Sequence, residues 1–159
     1  MKIVIHAIGH FKESYWKEAQ KEYEKRLKGY ASLEIVEYDD VAIPVKATEA
    51  VEEEVRSKEG KKILSALKPN DFLVLLDLHG PQLDSVALSQ KLEEWFVRGS
   101  STIHFAIGGS LGFSAEMKKR GNAVLTLSEL TFPHQIARIL LLEQLYRSFR
   151  ILHHEPYHK

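Results

Sequence analysis

Residues 104–114 read HFAIGGSLGFS, and residues 123–159 read AVLTLSELTFPHQIARILLLEQLYRSFRILHHEPYHK. The first stretch is an apolar strand running into a glycine loop at Gly108, Gly109 and Gly112. The second is another apolar strand, a polar loop from Leu127 to Phe132, and a long helix opening at Pro133 and His134. Proline suits a first helical position, where its missing N–H leaves nothing unsatisfied. Strand, loop and helix in alternation imply parallel strands, because strands that run the same way need a crossover between them.

The upstream residues repeat the pattern. KIVIHAI (2–8) predicts a buried strand closed by Gly9, and Ser14 is placed to cap a helix running to about Gly29. LEIVEY (33–38) alternates apolar and polar residues, as a strand near a sheet edge does. The spacing of Val51, Val55, Ile63 and Leu67 predicts a surface helix over 48–67, weakened at Gly60 by about 1 kcal/mol relative to alanine. FLVLLDL (72–78) is apolar except for Asp77, which predicts an interior strand. Ser85 is expected to cap a helix through Val97, and Asn122–Leu127 to form the last strand. The expected fold is α/β: one domain over 1–159, with a mainly parallel sheet and helices on both faces.

Composition narrows the function. Apolar residues make up 44% and charged residues 28%, with no cysteine, so thiolate chemistry and disulfides are excluded. No apolar run is long enough to span a membrane, and MKIVIHAIG lacks the long apolar core of a signal peptide. A cytoplasmic protein is expected. Net charge is zero, which argues against purely electrostatic binding to nucleic acid.

In an open α/β sheet, ligands bind beyond the C-terminal ends of the strands. Three such ends stand out: Leu76–Gly80, Gly108–Gly112 and Leu127–Phe132. A pocket there is lined by main chain and small side chains, which suits an adenine or a nucleoside. The loop reads G-G-x-x-G, which is also an ordinary tight turn. The last helix is apolar on two sides, with Leu141, Leu142, Leu145, Tyr146 and Phe149 on a broad arc and Ile136 and Leu140 beside it. Two sides call for two partners, the sheet and a second subunit, or else for a helix central to a monomer. Arg138 falls within the apolar arc and needs a counter-charge or an anionic ligand. Glu143 and Arg147 are spaced for a helix ion pair or for a polar site. The tail carries His153, His154, Glu155, Tyr157 and His158, whose spacing matches no standard metal-ligand pattern, so no metal is expected.

GGSLG, LSELTFPHQIARILLLEQLYR and the terminal HEPYHK, with the opening MKIVIHAIGHFKESYWKEAQKEYEKRL, resemble the ribosomal large subunit pseudouridine methyltransferase H family of SPOUT methyltransferases. The resemblance covers nearly the whole chain. It implies a C-terminal trefoil knot, S-adenosylmethionine as cofactor and a homodimer. The implied reaction is methylation of N3 of a pseudouridine in helix 69 of 23S rRNA, on the assembled ribosome. Carried over by position, the cofactor-binding residues are Leu76, Gly108, Leu127, Ser128, Glu129, Leu130, Thr131 and Phe132. The polar residues of the reaction are Glu143, Arg147, Tyr157 and His158. His158 is the leading general base, and His134 is a rival base or a structural cap. A SPOUT enzyme acting on tRNA and a non-enzymatic nucleotide-binding α/β domain are the alternatives.

Overall fold

A computed structural model describes residues 1–159. Ten elements alternate: β1 (Lys2–Ile8), α1 (Ser14–Leu27), β2 (Ser32–Tyr38), α2 (Glu49–Leu64), β3 (Leu73–Leu76), α3 (Ser85–Arg98), β4 (Thr102–Ile107), α4 (Ala115–Arg120), β5 (Ala123–Leu125) and α5 (His134–Leu152). The strands form one sheet in the order β2-β1-β4-β3-β5, and every pairing is parallel. The alternating strand β2 lies at one edge and the apolar β1, β4 and β3 lie inside, as expected, while the short apolar β5 forms the other edge.

Side chains alternate across a strand, so each strand feeds two cores. Ile3, Ile5, Ile103, Phe105 and Val74 face α1, α3 and α5, where Leu27, Leu92, Phe96, Leu141, Leu145 and Phe149 close the larger core. Ile8, Leu73, Leu75 and Ala106 face the other way, onto Ile63 of α2 and Met117 of α4. Residues 126–133 then carry the chain from β5 back past the ends of β3 and β4. They deliver α5 to the end of β1, where the His134 ring lies against Gly9.

Several local expectations change. β3 and β5 are shorter than expected. The Asp77 carboxylate accepts the Leu78 N–H at 2.7 Å and turns the chain out of the sheet. The Asn122 side chain accepts the Leu73 N–H at 2.8 Å, capping β5 before it begins. Asp84, not Ser85, caps α3, accepting from Ala87 N–H at 2.7 Å, while the Ser85 hydroxyl donates to Gln144 on α5. Ser14 is the first helical residue of α1 and caps nothing, and Pro133 stands at the N-cap of α5, one position before the helix. Gly60 is a close-packing site and no defect. A Cβ there would lie 2.7 Å from Met117 Cγ, so glycine lets α2 settle onto α4. Finally, the broad apolar arc of α5 is filled by its own chain. Leu141, Leu142, Leu145 and Phe149 are fully buried against the sheet, α1 and α3, while Ile136 and Leu140 on the other side of the helix are only half-buried.

Candidate active site

The C-terminal ends of β3, β4 and β5 and the first turn of α5 enclose one cavity of about 570 Å³. Its size falls within the range of roughly 300–1000 Å³ typical of small-molecule sites. Leu76, Gly108, Leu127, Ser128, Leu130, Thr131 and Phe132, all expected from the sequence, line it. Glu129 does not; it is exposed outside the lining. Asp77 and Gly109, inside the strand ends picked out from the sequence, line it too, and Ile107, Phe113, His134 and Ala137 join the lining without having been assigned to it. Asp77 had a signal, as the lone polar residue of an apolar strand. Ala137 had one too, as a small residue one turn after His134.

The loops are shaped by their own backbones. Gly112 N–H donates to the Gly109 carbonyl at 3.0 Å, and Gly112 sits at φ +80°, where a side chain would be strained. The Ser128 hydroxyl accepts the Leu130 N–H at 3.0 Å and sets the turn of the polar loop. Asp77 ties the loops after β3 and β5 together: its N–H donates to the Leu125 carbonyl at 3.1 Å, and its carbonyl accepts the Thr126 hydroxyl at 2.8 Å. The walls are apolar, and no lysine or arginine lines the cavity. The short helix after the glycine loop has its first turn capped by the Ser114 side chain. A nucleoside without phosphates fits such a chamber. A phosphate there would meet no lysine or arginine.

His134 stands at the cavity wall. Burial, with Arg138 close by, pushes its imidazole below the ordinary histidine range, and its Nδ1 is buried without a partner. Gly9 presses on it: at φ +104°, a Cβ there would lie 2.8 Å from the ring. Arg138 finds its partners inside the chain, not in a ligand. Fully buried, it donates to Gln20 at 3.1 Å and to the Gly9 carbonyl and Glu37 at 3.3 Å, and it lies 4.0 Å above the Phe11 ring. Burial pulls its pKa down and Glu37 opposes that. Its role is to anchor the start of α5 to the ends of β1 and β2.

The other expected residues gather at the far end of α5. Glu143 accepts from Arg147 Nη2 at 2.6 Å and from the Tyr157 hydroxyl at 3.1 Å. Arg147 lies 4.6 Å over the Tyr157 ring, and its Nη1 is 3.4 Å from His158 Nδ1. The tail does not fray. Arg150 pairs with Glu155 at 2.6 Å and donates to the Pro156 carbonyl at 3.1 Å, and the Tyr30 hydroxyl also donates to Glu155. At 1.5 Å per residue, Arg147 lies about 20 Å along α5 from His134. Within one chain, the cavity and the tail network therefore do not meet. No cluster of metal-binding side chains is present, and no helix is long and apolar enough to cross a membrane.

A protein from Desulforamulus reducens named ribosomal RNA large subunit methyltransferase H is 47% identical over 159 residues, 100% of this chain and 99% of that one. Proteins of the same name from Acetivibrio thermocellus and Clostridium botulinum are 45% and 48% identical, each over the full length of both chains. A Legionella pneumophila methyltransferase solved with bound SAM aligns with a TM-score of 0.49 at 12% identity, over 92% of this chain and 66% of its own. A family model described as "Predicted SPOUT methyltransferase" matches residues 1–158, and the chain belongs to that SPOUT methyltransferase family.

Proposed function

We propose that this protein is an S-adenosylmethionine-dependent methyltransferase of large-subunit ribosomal RNA. Its target is N3 of a pseudouridine in helix 69 of 23S rRNA, reached on the assembled ribosome in the cytoplasm. The reading keeps the C-terminal trefoil knot that the resemblance implies. The observation that carries it is the pairing of a phosphate-free nucleoside chamber with a separate, preorganised tail of Glu143, Arg147, Tyr157 and His158. Because the two lie at opposite ends of α5, the reading includes a homodimer in which one subunit's tail faces the other's cavity.

The cofactor, when bound, supplies an electrophilic methyl group. The chain's residues supply alignment and proton removal. Leu127–Phe132 and Gly108 offer main-chain groups to the nucleoside edge, and Leu76, Ile107 and Phe113 exclude water. An imide nitrogen is a weak acid, so N3 must lose its proton as the methyl arrives. Arg147 can only donate, so His158 Nδ1 is the acceptor of that contact and Nε2 carries the ring proton. When the target base enters, Arg147 leaves Nδ1 for the ring oxygens, and the freed Nδ1 lone pair takes the N3 proton. Glu143 offsets the positive charge that collects there, and Arg147 stabilises negative charge on the ring oxygens. Tyr157, held by Glu143, keeps its phenol protonated: burial and the carboxylate both raise its pKa. Its ring is the platform that positions the base.

The test is direct. The protein is incubated with S-adenosylmethionine and unmodified ribosomes, free 23S rRNA or tRNA, and the nucleosides are analysed. A methylated pseudouridine from ribosomes alone is expected. Methylation of tRNA would replace this substrate, and cofactor binding with no product on any RNA would replace the enzyme with a binding domain.

A further inference from the structure

Beside the cavity, and sharing Gly109, Ser110 and His134 with it, lies a second cleft of about 360 Å³. The two spaces differ in kind. The first is walled by leucines, phenylalanines and main chain. The second is lined by Glu13, Asp40 and Glu59, with Lys12 and His10 among them. Glu59 is only 5% exposed. Its Oε2 accepts the Val41 N–H at 3.2 Å, and its Oε1 has no hydrogen-bond partner. That oxygen is not sealed in the core, so it is open to a donor arriving in the cleft. The placement is tight on the side of the shared wall. A Cβ on Gly109 would lie 2.9 and 3.0 Å from the two carboxylate oxygens, so glycine at 109 is what admits Glu59 to the glycine loop.

We propose that this cleft receives the amino-acid end of S-adenosylmethionine, with Glu59 Oε1 accepting a hydrogen bond from its α-ammonium. The proposal rests on the cofactor reading above. The cofactor has an aromatic, uncharged end and a zwitterionic end joined by a short arm. The apolar cavity suits the first. The acidic cleft suits the ammonium, and Lys12, unpaired in the structure, is placed for the α-carboxylate. His134 in the shared wall is held toward its neutral form, chiefly by burial, so it adds no competing cation. Burial, reinforced by Asp40, raises the pKa of Glu59, and an arriving cation draws it back down. An RNA base is the weaker occupant, because the three carboxylates repel the phosphates that accompany it. Val55, Glu59 and Ile63 share one face of α2 at i, i+4 spacing, and a carboxylate between two buried aliphatics is the sequence sign of such a role.

The charge is separable from the fold, since glutamine at position 59 can still accept the Val41 N–H. Calorimetry on wild type and Glu59→Gln compares S-adenosylhomocysteine with 5′-methylthioadenosine, which lacks the amino-acid end. Wild type should bind S-adenosylhomocysteine at least about tenfold more tightly, and the variant should lose most of that advantage while holding methylthioadenosine unchanged. Equal weakening of both ligands would make Glu59 a support of the cavity's shape and overturn the proposal. So would an unchanged S-adenosylhomocysteine affinity coupled to slower methylation of ribosomes, which would assign Glu59 to the RNA. Should the variant fail to fold, wild type is measured with the analogue of S-adenosylhomocysteine that lacks only the amino group. Binding as tight as the parent's overturns the proposal, and tenfold weaker binding upholds it. Wild type that binds methylthioadenosine as tightly as S-adenosylhomocysteine keeps the cofactor reading and removes only this proposal. Wild type that binds neither removes both.

Discussion

At its N-terminal end, α5 borders a chamber built from main chain and apolar walls, with no lysine or arginine among its lining residues. At its C-terminal end, Glu143, Arg147, Tyr157 and His158 form a network made wholly of side chains, held out on a tail pinned by Arg150, Tyr30 and Glu155. One helix thus carries two sites of opposite construction. A chamber of backbone tolerates most side-chain changes and fails when a glycine gains a side chain. A network of side chains folds without its functional groups and fails chemically when one is removed. Binding and chemistry should therefore separate cleanly by mutation.

The sharpest way to break that contrast is at the tail. His158→Ala should lower turnover by roughly 10²–10⁴, the usual contribution of a general base, with S-adenosylhomocysteine affinity unchanged. Single-turnover methylation and calorimetry read the two quantities, and turnover surviving the substitution would remove His158 as the base. The next effect is at the chamber. Gly108 already sits where a Cβ would lie 3.3 Å from the Gly112 backbone and from Phe113, so Gly108→Val should push branched methyl groups into the cradle. Cofactor affinity should fall at least about tenfold with the tail network intact. If affinity survives and turnover alone falls, the division of labour along α5 is wrong.

The smallest effect at neutral pH lies in the sheet between the two ends. His6 on β1 and His104 on β4 are buried side by side, 3.0 Å apart, with Tyr38 at 2.9 Å on one side and Asp71 at 3.5 Å on the other. Burial, then His104, lowers His6 from 6.5 to about 4, and burial lowers His104 as well. The unfolded chain therefore binds more protons than the folded one below pH 6.5, and stability falls as pH drops from there toward about 4. The loss from His6 is on the order of 3 kcal/mol at most. Urea unfolding at pH 7 and pH 4.5 should show it in wild type and much less of it in His6→Gln. Equal acid sensitivity in both would place the titrating groups elsewhere.

Much of this was legible beforehand. The apolar runs at 2–8, 72–78 and 102–107 announced strands because a strand buried on both faces is mostly apolar. The edge strand at 33–38 announced itself by alternation. The C-terminal motifs marked the cavity loops and the tail residues together. Other features could not be read in advance. Gly60 looked like a helix defect until Met117, far away in sequence, proved to occupy the space of its missing Cβ. Arg138 called for either a counter-charge or an anionic ligand, and only the folded chain brings Glu37, Gln20 and the Gly9 carbonyl together on it from other elements. Glu129 belongs to the motif yet points away from the cavity, because a six-residue loop cannot turn every side chain inward.

The sequence by itself determined the class of fold, the parallel crossover pattern and which loops would line the cavity. Those depend on periodicity and on short-range turn chemistry, which operate within a few residues. Only the tertiary structure decided that Glu59 and Gly109 meet beside the cavity, that the broad apolar arc of α5 is covered by its own chain, and that cavity and tail stand apart along one helix. Those facts depend on contacts between residues distant in the chain, and no local pattern encodes which distant surfaces will touch.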